Sequence, residues 1–105
     1  MKIQFNTDKT ITGNEENEDY FTTLISDGLK RHESHISRIE AHISDENGSK
    51  KGVDDIRCLL EARIEGRQPL AVTCDADTVE KSVSGAIDKL KSSLETTMGR
   101  LQNHW

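Results

Sequence analysis

Apolar positions recur with two periods along this chain, and the switches between them mark its elements. Ile3 and Phe5 alternate with Lys2, Gln4 and Asn6, the period-two pattern of a half-buried strand over residues 2–6. Thr12-Gly13-Asn14 breaks the pattern, and Asn14 is placed to cap a helix. Glu15, Glu16, Glu18 and Asp19 crowd the first turn, where carboxylates meet the positive end of the helix dipole. Phe21, Leu24, Ile25, Leu29 and His32 then recur at three-to-four spacing, which gives the helix one apolar face. Lys30 and Arg31 fall near its C-terminus, where cations are favoured.

Alternation resumes over residues 36–44. Ile39, Ala41 and Ile43 face one way, and Arg38, Glu40 and His42 the other. Residues 45–52 form a turn-rich loop with Gly48 and Gly52 as breakers. Residues 56–65 are the clearest strand. Its inner row is Ile56, Cys58, Leu60, Ala62 and Ile64, and Arg57, Glu61, Arg63 and Glu65 form most of its outer row. A tight turn at Gly66-Arg67 leads to a strand whose inner row is Leu70, Val72 and Cys74, so the two form a hairpin. Pro69 at its start suits a sheet edge, where a missing donor is tolerated. Asp77-Thr78-Val79-Glu80 has the spacing of a capping box. The long helix after it is striped by Val79, Val83, Ala86, Ile87, Leu90, Leu94 and Leu101, and Gly99 weakens its last turns.

This order predicts an α+β fold, β-α-β-β-β-α, with a four-stranded sheet. The first helix is a crossover, so the first two strands are expected parallel and right-handed. Only one row of each strand is apolar, so both helices must pack on one face and leave the other charged and wet. A length of 105 residues suits one domain over 1–105.

Composition narrows the function. The net charge is −5, whereas a nucleic-acid binder is expected to be basic, so any RNA contact must be a local patch. Phe5, Tyr20, Phe21 and Trp105 are the only aromatics, too few for a base-stacking platform. No apolar run approaches the ~20 residues that cross a bilayer, and the first ten residues lack the apolar stretch of a signal peptide. The expected location is cytoplasmic, and two cysteines fit a reducing compartment.

Candidate chemistry is sparse. His32 and His35 have a spacing that can put two imidazoles on one helical face, but no motif completes a metal site. Cys58 and Cys74 should lie nearly opposite each other on the inner face. A disulfide is conceivable there, and the favoured reading is two reduced, buried core thiols that react slowly. Arg57, Glu61, Arg63 and Glu65 alternate in sign, which reads as cross-strand ion pairing. There is no glycine-rich phosphate loop and no nucleophile-elbow serine. An enzyme is therefore not expected, and neither a cofactor nor a small-molecule substrate is expected.

Three stretches carry a family resemblance. Ala86-Ile87-Asp88-Lys89-Leu90 followed by Leu94 is similar to an aspartate-lysine-leucine segment of the hibernation-promoting factor and ribosome-associated inhibitor family. Residues 39–47 resemble that family's second strand and turn, and residues 57–73 look like an acidic branch of it. The likeness spans nearly the whole chain and, ending at Trp105, is to the short form. It implies a non-catalytic factor that binds the small ribosomal subunit and its RNA and idles translation under stress. By position it implies RNA contacts at Lys30, Arg31, Lys89 and Arg100, and Lys91 is expected to join Lys30, Arg31 and Lys89 in a phosphate-contacting patch. Where the family has a late-helix lysine cluster, this chain has Thr96, Met98 and Gly99. The alternative is a protein-interaction or stress-modulator module that kept the fold and lost the RNA-binding surface.

Overall fold

The computed structural model describes the backbone of residues 1–7, 15–45 and 56–102, and the side chains of 1–7, 18–44 and 56–97. Asn14, the loop glycines Gly48 and Gly52, and the side chains of Glu15, Glu16, Arg100 and Leu101 lie outside the described residues. The elements follow as β1 (Lys2–Thr7), α1 (Glu15–Leu29), a 3-10 segment (Lys30–His35), β2 (Ile36–Asp45), β3 (Ile56–Ile64), β4 (Leu70–Ala76) and α2 (Val79–Gln102). The sheet order is β1-β2-β3-β4. β1 runs parallel to β2, and the remaining pairs are antiparallel. This is the β-α-β-β-β-α layout the alternation predicts.

The apolar rows explain the layering. Ile39, Ala41 and Ile43 of β2 and Cys58, Leu60, Ala62 and Ile64 of β3 are buried in one cluster with Ile25 and Leu29 of α1. Val83, Ala86, Ile87, Leu90 and Leu94 of α2 complete that cluster. Both helices therefore cover a single face. Arg38, His42, Arg57, Glu61 and Arg63 belong to the other face, where Leu59 is half-buried between His42 and Thr73 in the register.

One irregularity reconciles the pattern at the start of β2. Ile36 and Ile39 are three apart, so strict alternation would put them on opposite faces, yet both are buried. The β2–β3 register shifts between Ile36 and Arg38. The Ser37 hydroxyl donates to the Arg63 carbonyl at 3.1 Å. A bulge of this kind adds one residue and returns both isoleucines to the core. The hairpin turn closes where the Arg67 N–H meets the Ile64 carbonyl at 3.2 Å.

Several sequence expectations need correction. The first α-helix stops at Leu29, and Lys30, Arg31 and His32 belong to the tighter 3-10 segment. The α2 cap is Thr78 and not Asp77: the Lys81 N–H donates to the Thr78 hydroxyl at 3.1 Å. With Lys81 at the third helical position, no capping box forms, and Asp77 instead pairs with the Lys81 ammonium at 3.2 Å. The cross-strand ion pairing holds for Arg57, which reaches Asp75 through two nitrogens at 2.9 and 3.2 Å. Arg63 pairs with Glu61 of its own strand at 3.8 Å, a looser contact. Cys58 is buried but Cys74 only half-buried. Cys58 and Cys74 are directly opposed in the register as free thiols. Burial, with Cys74 adding to it, pushes the Cys58 thiol up to about 12, so its thiolate is scarce and its reactivity low.

α2 approaches the sheet and α1 through glycines. A Cβ on Gly28 would sit 2.6 Å from Ile87 Cγ2. One on Gly85 would collide with Cys74 Sγ and lie 3.4 Å from Cys74 Cβ. Gly85→Ala should therefore destabilise the protein, because overpacking of about 1–3 kcal/mol outweighs the roughly 1 kcal/mol that alanine contributes to a helix interior over glycine. In a Cys74→Ala background the clash is gone and the same substitution should stabilise. Chemical denaturation of the four proteins checks this, and an effect of one sign in both backgrounds would contradict the packing described.

Candidate RNA-contact surface

The expected RNA-contact cations that are among the described side chains lie on two sides of α2. Leu29 is fully buried and His32 is 7% exposed. Residues three apart eclipse each other in a 3-10 helix, so burying this pair turns Lys30 and Arg31 out to solvent, and both are exposed. Arg31 approaches Glu95 of α2 at 4.0 Å, with its side chain 80% exposed. Lys91 lies one turn before Glu95 on the same side of α2 and is close enough to act on the charge of His32. Lys30, Arg31 and Lys91 thus gather where the 3-10 segment meets α2, with Glu95 among them.

Lys89 is elsewhere. Two residues separate it from Lys91 by about 160° around the helix. Its ammonium donates to the Thr73 carbonyl at 2.8 Å and lowers the pKa of Asp75 alongside the larger effects of Arg57. β4 is an edge strand, and a lysine held on one of its carbonyls blunts that edge. The structure therefore separates Lys89 from the other expected contacts. The side chain of Arg100 is outside the described residues.

His32 is the residue at this surface whose role the sequence did not show. Its Nε2 is buried without a hydrogen-bond partner. Burial holds its pKa below the ordinary 6.5. Glu95 opposes that shift, while Arg31, His35 and Lys91 reinforce it. Apolar spacing placed His32 in the core, but the neighbours from α2 depend on helix packing that spacing does not encode. Among the described residues no group of three His, Cys, Asp or Glu side chains could hold a metal ion, and no helix is long and apolar enough to cross a membrane.

A histidine kept neutral in the fold makes stability acid-sensitive. In the unfolded chain His32 takes up a proton as pH falls through 6.5, while the folded form resists until a lower pH. The unfolded state then binds more protons, so stability falls as pH drops below that point and levels off below the folded value. Urea unfolding at about pH 7.5 and about pH 5.5 should show this loss. The loss should shrink in His32→Leu, which removes the unpartnered nitrogen. An equal loss in both proteins would contradict the assignment.

The fold has solved counterparts. The N-terminal domain of Protein Y from Thermus thermophilus aligns with a TM-score of 0.71 at 14% sequence identity, covering 92% of this chain and 99% of that one. A ribosomal subunit interface protein from Coxiella burnetii aligns with a TM-score of 0.65 at 16% identity, covering 94% of this chain and 99% of that one. No family model and no curated protein matches the sequence. At such identities the likeness is one of fold: this chain has the architecture of those proteins over nearly its whole length.

Proposed function

We propose that this protein is a non-catalytic, cytoplasmic factor that binds ribosomal RNA on the small ribosomal subunit and modulates translation under stress. The observation that carries this reading is the fold match over 92% of the chain to the Protein Y domain. A second protein of this fold is named as a ribosomal subunit interface protein. Support from the chain itself is the exposed group Lys30, Arg31 and Lys91, a cationic surface on the helical side. Phosphate neutralisation by lysine and arginine supplies most sequence-independent affinity for RNA.

A second reading has a specific observation in its favour. The net charge is −5, Arg31 is partly matched by Glu95, and Lys89 is engaged by a backbone carbonyl. A protein-interaction module that kept the fold and lost the RNA surface would look like this.

Co-sedimentation with small ribosomal subunits separates the two. The ribosome reading predicts weak binding that falls steeply as salt rises. Lys30→Glu with Arg31→Glu should reduce it by about tenfold or more, since each reversal removes a phosphate contact and adds a repulsion. Lys89→Glu should matter less, because that lysine serves the β4 edge. Absence of binding by the unaltered protein at low salt would leave the interaction-module reading standing.

A further inference from the structure

We infer that the open face of the sheet carries a second RNA-phosphate contact, a row of Lys2, Arg38 and Arg63 that continues the cationic end of the helices around the rim of the sheet. It rests on the RNA part of the reading above and deepens it by assigning a surface on the opposite side of the sheet.

The row is a product of register. Lys2 of β1 pairs with Arg38 of β2, and Arg38 pairs with Arg63 of β3. All three belong to the uncovered face. Strands lie about 4.8 Å apart, so three cationic stems start within about 10 Å. Like charges directly opposite each other destabilise a sheet, and a bound anion would relieve that repulsion. The next row inward, Gln4, Glu40 and Glu61, supplies two carboxylates. Glu40 takes the Arg38 Nη2 at 2.7 Å and Glu61 takes Arg63 loosely at 3.8 Å. Three cations thus face two anions. Lys2 has no ion pair among the described residues, and the Arg38 Nε is buried with no hydrogen-bond partner.

Position adds to the excess. β2 follows the 3-10 segment directly, and the Glu65 N–H is tied to the His35 carbonyl at 3.2 Å. Lys30, Arg31, Lys91 and the exposed Arg67 of the hairpin turn therefore share this end of the sheet with the row, against the exposed carboxylates Glu33, Glu65 and Glu95. The opposite end carries Asp75, Asp77 and Glu80 against Arg57 and Lys81, with Lys89 also near Asp75 but held on the Thr73 carbonyl. From Arg63 to Arg57 is six residues of strand, roughly 20 Å. The Debye length is about 8 Å at physiological salt. A polyanion at the cationic end is therefore largely shielded from the acidic end, and the net charge of the chain does not describe the field it meets.

The chemistry of the face favours a phosphodiester backbone over an acidic protein. Protein interfaces need an apolar or aromatic centre, and among the described residues this face offers only the half-buried Leu59 and the small, exposed Ala71. Two of the three cations are arginines, whose planar guanidinium matches phosphate oxygens in pairs.

The test titrates isotope-labelled protein with a short RNA duplex at low salt and follows backbone amide and arginine Nε–H resonances. Lys2, Arg63 and the Arg38 Nε–H should shift together with Lys30 and Arg31. Lys2→Gln with Arg63→Gln, at exposed positions that leave Arg38 in place, should weaken RNA binding about tenfold. The slope of log K against log salt should fall by about 0.7–0.9 for each lost contact. Shifts confined to Lys30, Arg31 and Lys91 with the row silent would overturn the inference, as would a failure to bind RNA at all. Displacement by a glutamate-rich peptide at equal concentration would overturn the assignment to RNA. RNA binding through the row without co-sedimentation on small subunits would keep this inference and sink the ribosome reading. Co-sedimentation that ignores the double substitution would do the reverse.

Discussion

Everything in this structure depends on how closely α2 can lie on the inner face of the β3–β4 hairpin. Val83, Ala86, Leu90 and Leu94 are fully buried there, as are Cys58 and Leu60 beneath them. The approach is set by small residues: Gly85 leaves room for the Cys74 sulfur, and Gly28 of α1 leaves room for Ile87. Apolar area removed from water stabilises the fold at roughly 25 cal/mol per Å², and that area exists only while the elements meet without gaps. Once α2 is seated, α1 has a single place beside it, with Ile25 and Leu29 in the same cluster.

That packing also distributes the charge. A sheet covered on one side leaves its other rows to solvent, and the register decides which charges become neighbours. Arg57 meets Asp75 of the adjacent strand in a bidentate pair, and the arginine holds that exposed carboxyl below the usual range. At the other end the register assembles Lys2, Arg38 and Arg63 side by side. Seating α2 likewise fixes Glu95 near Arg31 and His32. An acidic chain can thus hold a cationic end, because charge is sorted by topology and separated by more than the screening distance.

The elements were legible in the sequence because their signals are local. Alternation at Ile39-Ala41-Ile43 and Cys58-Leu60-Ala62-Ile64, and the helical stripe from Val83 to Leu94, required no knowledge of distant residues. What was not legible depends on partners far along the chain. The bulge at Ser37 is settled by Arg63 and Ile64 on β3. Asp77 and Thr78 both suit a cap, and the geometry of entry from β4 selected Thr78. Lys89 and Lys91 look equivalent in a list of charges, yet a turn of about 160° sends one to the β4 edge and the other toward His32. The cationic row needed the register of three strands, which no single segment specifies.

A polyanionic partner is expected to meet this protein at the end of the sheet that joins the 3-10 segment to Lys2, Arg38 and Arg63. Amide hydrogen exchange of the protein with and without small ribosomal subunits tests that orientation directly. Added protection is expected across residues 30–38 and 63–67, with residues 75–81 unchanged. Protection centred on residues 75–81 and the N-terminal turns of α2, with 30–38 unaffected, would contradict it.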